Sequence, residues 1–396
     1  MSTLLRLAGG LLGTGLIGWL GYGGAVYFQS EAAWDALCAD VPPVGGARQG
    51  RAPARDKSIQ AGKPIEEAAA AYIRDHGSRS DAIQALVDAH GGSASQRTDL
   101  LRARGAKEAL ATLRRCMAQE GNALGADLPT VAADLPKLMA GAILKDLALL
   151  EAQEQLDAGQ DAEALRLFAA VLRLAKDHGE LPLLITHAIG HSIATWALQG
   201  VQGRSFDPGQ FGAHERNGLR DALVDIEPTF GPTIEILRTE AQMFRASVAS
   251  QERPGTLAGM LHAMTHPGET HEAVQCLTAY QQVLSLAEVL ATTGPHDFPS
   301  LDAELTKLDE QMPRGFSTAS STRSILREDA RTQTLIRAWI NALALDAGDA
   351  APFPHDAFGE PFQLNVQPGA ITIRTASETS PANNDRPITV CLQRSR

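Results

Sequence analysis

Residues 134–179 read DLPKLMAGAILKDLALLEAQEQLDAGQDAEALRLFAAVLRLAKDHG, and the spacing of their apolar residues decides the fold class. Met139, Ile143, Leu147 and Leu150 recur three and four apart, as one stripe of a helix does, and Asp134 precedes them. Gly159 breaks the pattern. Asp161 then caps a second run, in which Leu165, Phe168, Leu172 and Ala175 repeat the spacing as far as Gly179. Two helices joined by so short a break fold back on each other as an antiparallel hairpin.

The same signals extend in both directions. Pro64, with Glu66 and Glu67 in the first turn, opens a helix that Gly77 closes; Ser80 with Asp81 opens the next, which ends at Gly91-Gly92. Ile234, Leu237, Ala241, Phe244 and Val248 form an apolar seam flanked by Glu235, Arg238, Glu240 and Arg245. From Leu181 to Gly203 no residue is charged and apolar side chains stand nearly all round, the pattern of a central buried helix. Ile325, Leu335, Ile336 and Trp339 mark another helix, and the polar run Ser317 to Ser324 before it reads as a capping loop. Beyond Gly348 the period changes to two: residues 362–366, 370–373 and 388–390 read as strands, the first two joined by a Pro368-Gly369 turn. The sequence predicts a mainly α protein of stacked antiparallel helical hairpins, an α-solenoid or a bundle, with a small C-terminal β appendage.

Composition supports this class and excludes others. A chain of 396 residues, 44% hydrophobic, can build a real core, and 5% aromatic content favours close-packed helices over β-sandwiches. Forty-six acidic against 35 basic residues give a net charge of -11, which repels nucleic acid, so no nucleic-acid partner is expected. Cys38, Cys116, Cys276 and Cys391 stand too far apart for a zinc or redox Cys-x-x-Cys motif; they either form two disulfides, in any of three pairings, or stay reduced and buried.

Leu7 to Phe28 carries no charge, and at about 1.5 Å per residue reaches roughly 33 Å, enough for a hydrocarbon core of about 30 Å. Arg6 and the amino terminus precede it; Glu31, Asp35 and Asp40 follow. The positive-inside rule therefore predicts a single-pass anchor in the inner (cytoplasmic) membrane, with its N-terminus in the cytoplasm and the main domain in the periplasm. A cleaved signal peptide, using Gly23-Gly24-Ala25, is the competing reading. Gly13-Thr14-Gly15-Leu16-Ile17-Gly18 spells a dinucleotide fingerprint, but Gly9 and Gly10 interrupt the strand that motif requires. Gly9 and Gly13 instead make a G-x-x-x-G step suited to self-association in the membrane. Pro42 to Pro64 is rich in Pro, Gly and charge and reads as a tether. The resulting plan is an anchor over 1–30, a flexible linker over 31–63, a helical domain over 64–346 and a β segment over 347–396.

Two local resemblances add to this reading. The run AGQDAEALRLFAAVLRLAKDHG resembles the second helix of a tetratricopeptide repeat, with its Gly-x-x-x-x-Ala turn, aromatic residue and further small residue; the first-helix Trp and Gly-Tyr signature and a 34-residue period are lacking. That resemblance implies stacked hairpins and a protein partner. The segment PHDAFGEPFQL resembles the C-terminal turn of type II secretion pseudopilins and of uncharacterised anchored bacterial proteins, with Asp356, Phe358, Gly359, Pro361 and Phe362 in place and Ala357 where Pro is usual. In that family the loop after the hairpin can hold calcium. Here Asn383, Asn384 and Asp385 fall in that region, with fewer acids than a hard cation wants.

For chemistry, the sharpest pattern is His187-Ala188-Ile189-Gly190-His191, two histidines four apart and so on one helical face, as a metal pair needs. The Glu of H-E-x-x-H is missing. His262, His266, His271 and Glu272 form a second group that would complete a site if their helix packed alongside. Neither G-x-S-x-G nor a Walker Gly-Lys-Ser/Thr occurs, so the sequence assigns no catalytic residue and no cofactor. The expected role is that of a membrane-anchored extracytoplasmic scaffold or interaction protein. The alternatives are an extracytoplasmic metal-dependent enzyme using His187 and His191, and an accessory component of a secretion or envelope complex.

Overall fold

The computed structural model describes residues 22, 25–33, 35, 63–118, 138–181, 184–202, 205–206, 212–230, 236–237, 261, 265–293, 298–311, 318–375 and 388–394. Within them the protein is mainly helical, with a small antiparallel sheet near the C-terminus. The helices are α1 (Lys63–Asp75), α2 (Arg79–Gly91), α3 (Ala94–Arg102), α4 (Arg104–Met117), α5 (Leu138–Asp157), α6 (Asp161–Gly179), α7 (Leu184–Val201) and α8 (Ala213–Ile226). A 3-10 turn, Glu227–Phe230, follows α8, and the series continues with α9 (Pro267–Thr293), α10 (Phe298–Gln311) and α11 (Thr318–Ala347).

The opening hairpin is present. Gly159 takes a φ of +69°, the left-handed turn that only Gly adopts without cost, and α6 packs back along α5. Ile143, Leu147 and Leu150 on one side and Leu165, Phe168, Leu172 and Ala175 on the other are all buried in the main core. Asp161 is not the cap; that position belongs to Gln160, which makes no side-chain cap bond, and Asp161 lies buried in the first turn. Likewise Ser78, not Ser80, caps α2, its hydroxyl accepting from the Asp81 amide. In each case the carboxylate belongs to the first turn, where it faces the positive end of the helix dipole.

α6 lies in the middle, against α5, α7 and α8, while α1 and α4 cross closely at Gly105, whose amide donates to Asp75 Oδ2. α7 is not buried all round. His187, His191, Ile193, Ala194, Ala197 and Leu198 face the core, but Ile185 and Trp196 are half exposed on the outer face. The absence of charge measured hydropathy and missed the orientation. The polar run at 317–324 was also misread as a loop, since residues 318–324 belong to α11, with Thr322 buried.

α11 touches α7, α8, α9, α10 and the sheet, with Trp339 fully buried. The strands are β1 (Ser205–Phe206), β2 (Phe362–Gln367), β3 (Ala370–Thr375) and β4 (Thr389–Arg394), in the order β1-β4-β3-β2. β2, β3 and β4 are antiparallel, and the two-residue β1 joins β4 in parallel. Gly369, with a φ of +88°, follows Pro368 at the β2–β3 turn, the pairing a type II turn requires. Ile371 pairs with Leu392 and Ile373 with Val390, and these four enter the same core as the helices.

Between α11 and β2 the Asp356 region forms a tight turn. Asp356 Oδ1 accepts from the amides of Phe358 (2.8 Å) and Glu360 (2.9 Å), and Gly359 has a φ of +83°. Burial pushes the Asp356 carboxyl above its ordinary range against the pull of those two amides. The alanine at 357 has a use of its own: its N–H donates to the buried Thr334 hydroxyl on α11 (3.1 Å), a bond a proline could not make. Ala357→Pro is therefore expected to destabilise the fold by about 1–3 kcal/mol, measured by urea denaturation, and a neutral result would show that the bond contributes nothing.

Among the described residues no helix is long and apolar enough to cross a membrane. Of the segment 7–28 read as an anchor, only 22 and 25–28 are described, so that reading lies almost wholly outside the described residues, as do the tether and Asn383, Asn384 and Asp385. Of the 234–248 seam only Ile236 and Leu237 are described, both buried. Cys116 is buried on α4 and Cys391 sits on β4, its Sγ 3.8 Å from Thr372 Oγ1.

Candidate functional site

α7 carries His187 and His191 one turn apart on its inner face, with Gly190 between them against α6. An added Cβ at Gly190 would stand 2.8 Å from the Ala175 carbonyl oxygen and 2.9 Å from the Gly179 nitrogen, so the two helix backbones nearly touch here. This approach brings His187 Nδ1 to 2.9 Å from the Gly179 carbonyl, one of the acceptors that the end of α6 leaves without an intrahelical donor. From the other side α11 supplies Asp329, whose Oδ1 lies 2.6 Å from His187 Nε2 and also meets His191 Nε2. One turn on, Thr332 Oγ1 is 3.1 Å from His191 Nδ1.

Phe230, at the end of the 3-10 turn, closes the cluster, its ring centroid 4.5 Å from that of His191 and 5.6 Å from that of His187. The side chains of His187, His191 and Asp329 are 0%, 5% and 5% exposed. Burial alone would raise the Asp329 carboxyl, but the two imidazoles outweigh it and hold the group below its ordinary value. Its second oxygen, Oδ2, has no hydrogen-bond partner. A carbonyl only accepts, so His187 Nδ1 carries the hydrogen. Its Nε2 faces a carboxylate oxygen, and that contact is attractive only with a proton between the two atoms or a cation beside them bonded to both. The three side chains could hold a metal, since their donor atoms lie within 4.8 Å of one another.

No protein-family model, curated protein or solved structure matches the chain. The site is therefore read from its own geometry.

The third member of the cluster is not the one the sequence suggested. His266 and His271 are engaged locally, His266 Nδ1 2.8 Å from Thr265 Oγ1 and His271 Nε2 3.2 Å from Gln275 Nε2, and His262 lies outside the described residues. Asp329 was overlooked because it sits in the charged run Arg327-Glu328-Asp329-Ala330-Arg331. A signal did exist. Thr322, Leu326, Asp329, Thr332, Ile336, Trp339 and Leu343 fall three or four apart and are all buried, so the carboxylate interrupts an apolar stripe.

His178, beside Gly179 on α6, is a third buried histidine. Neither of its ring nitrogens has a hydrogen-bond partner, and it fills the space beside Gly141, where a Cβ would lie 2.1 Å from its Nε2. Burial pushes its imidazole down from 6.5 to about 4. The folded state therefore resists the proton that the unfolded chain accepts below 6.5. Stability is unaffected above that pH and declines as pH falls toward 4, by roughly 2 kcal/mol at pH 5. Urea denaturation of wild type and His178→Leu at pH 7 and pH 5 checks this: the variant should lose less between the two, and an equal loss would exclude His178 as the source.

Proposed function

We propose that this chain is a membrane-tethered, extracytoplasmic helical protein that binds a partner protein, its helices stacked as antiparallel hairpins in the tetratricopeptide manner. The observation that carries the reading is a groove of about 460 Å³ between the end of α4 and the outer faces of α6 and α8. Arg114, Arg166, Arg173 and Lys176 line it around a floor of Ala, Leu and Ile side chains, Arg114 paired with Glu151, Arg166 with Glu163, and Arg173 and Lys176 both with Asp225. The groove thus presents an apolar floor with a rim of ion pairs, each worth about 0–1 kcal/mol at the surface, and suits a partner segment whose apolar residues fill the floor and whose acidic residues take over the exposed Arg114 and Arg166. The histidine cluster, by contrast, is closed to any substrate by its burial, which weighs against the enzyme reading. The uncharged run 7–28, with Arg6 before it and acids after it, supports the tether and its orientation. A role in a secretion or envelope complex is the same reading with the partner specified, and the Asp356–Phe362 resemblance supports it.

The test is in-cell photo-crosslinking from Ala170 in the groove, compared with Trp196 on the outer face of α7. A defined crosslinked protein is expected from Ala170 alone, and Arg114→Glu with Arg166→Glu, both exposed and on the rim, should abolish it. The same product from both positions, or one indifferent to charge reversal, would count against the groove as the binding surface.

A further inference from the structure

We infer that His187, His191 and Asp329 bind one divalent transition-metal ion of the zinc, cobalt or ferrous-iron class, which pins α7 to α11 inside the core. Both histidines present Nε2 to the same carboxylate, while their Nδ1 atoms are engaged behind, one donating to the Gly179 carbonyl and the other beside the Thr332 hydroxyl. This is how ligating imidazoles are oriented: the outer bond fixes the ring and leaves Nε2 free to bind. The second observation is Asp329 Oδ2, a carboxylate oxygen buried with its residue at 3% exposure and without a partner. Protons alone can satisfy the two contacts at Oδ1 and leave Oδ2 orphaned. A cation seated between the rings and the carboxylate engages both oxygens.

The donor set selects the ion. Two imidazoles and one carboxylate suit borderline metals, whereas calcium and magnesium want six or more oxygens or several waters. Three protein ligands leave a further position, and the cluster is buried, with the Phe230 ring packed on both imidazoles. The ion's role is thus to hold the core together, independently of what the groove binds.

The experiment uses the full chain, purified without chelator, and reads metal content, the visible absorption of added cobalt(II), and Tm. Stoichiometric metal is expected in the protein as isolated. Stripping it with EDTA should lower Tm, and zinc or cobalt should restore it, with cobalt showing the intense bands of a low-symmetry nitrogen–oxygen site. Thr332→Val should weaken cobalt binding roughly tenfold by releasing His191, and Asp329→Asn should abolish stoichiometric binding. Because Asp329→Asn could fail to fold, the wild-type response to EDTA and re-addition decides the matter independently. A protein as isolated with only trace metal, whose Tm neither EDTA nor excess zinc shifts, overturns the proposal and leaves a cluster held by protons alone.

Discussion

Asp329→Ala is expected to cost about 3–5 kcal/mol of folding stability, the largest single loss predicted for a side chain in this protein. The reason is not the value of one ion pair in isolation. Removing the carboxylate leaves two imidazoles buried on α7, one still bonded to the Gly179 carbonyl and both facing a space with no acceptor. Both Nε2 atoms are then buried without a partner, and α7 and α11 lose the contact that sets their spacing. Asp329→Asn, which keeps the shape and one acceptor oxygen, should lose less, on the order of 2 kcal/mol. Equilibrium urea unfolding at neutral pH measures both, and a loss below about 1 kcal/mol for the alanine variant would mean that the cluster holds nothing together.

The second large effect comes from a residue with no side chain. Gly190→Ala is expected to destabilise by about 1–3 kcal/mol, and Gly190→Leu by more, because the first atom added would meet the Ala175 and Gly179 backbone on α6 rather than a movable side chain. α7 would have to retreat, drawing His187 off the Gly179 carbonyl and both rings away from Asp329. Gly218, in the middle of α8, supplies the control: nothing lies within 4 Å of a Cβ added there. Gly218→Ala should stabilise the helix by about 0.5–1 kcal/mol. The same chemical change thus has opposite signs at the two positions, and thermal unfolding of both variants distinguishes close packing from general intolerance of helical glycines.

Much of the fold was legible because local physics determines it. The 139–175 hairpin, the left-handed glycines at 77, 159 and 348, and the alternation from Phe362 onward are set by helix period, φ and pleat, all of which act over a few residues. What was misread depends on neighbours distant in sequence. The outer face of α7, with Ile185 and Trp196, is as free of charge as its inner face, so only packing tells them apart. The site divided in the same way. His187 and His191 were visible because one helix carries both, while Asp329 required knowing that α11 crosses α7, and His266 and His271 drew attention simply because they are histidines. Sequence spacing identifies the donors within a helix, and topology selects the donor from outside it.

The separation of 142 residues between His187 and Asp329 also has a meaning in time. At a synthesis rate of about 5–20 residues per second, roughly 7–30 s pass between the emergence of α7's histidines and the appearance of their carboxylate. For that interval the nascent chain carries a hydrophobic helix with two polar rings and no acceptor from α11. The contact that fixes α7 against α11 is therefore among the last to form, only after residue 329 has been made.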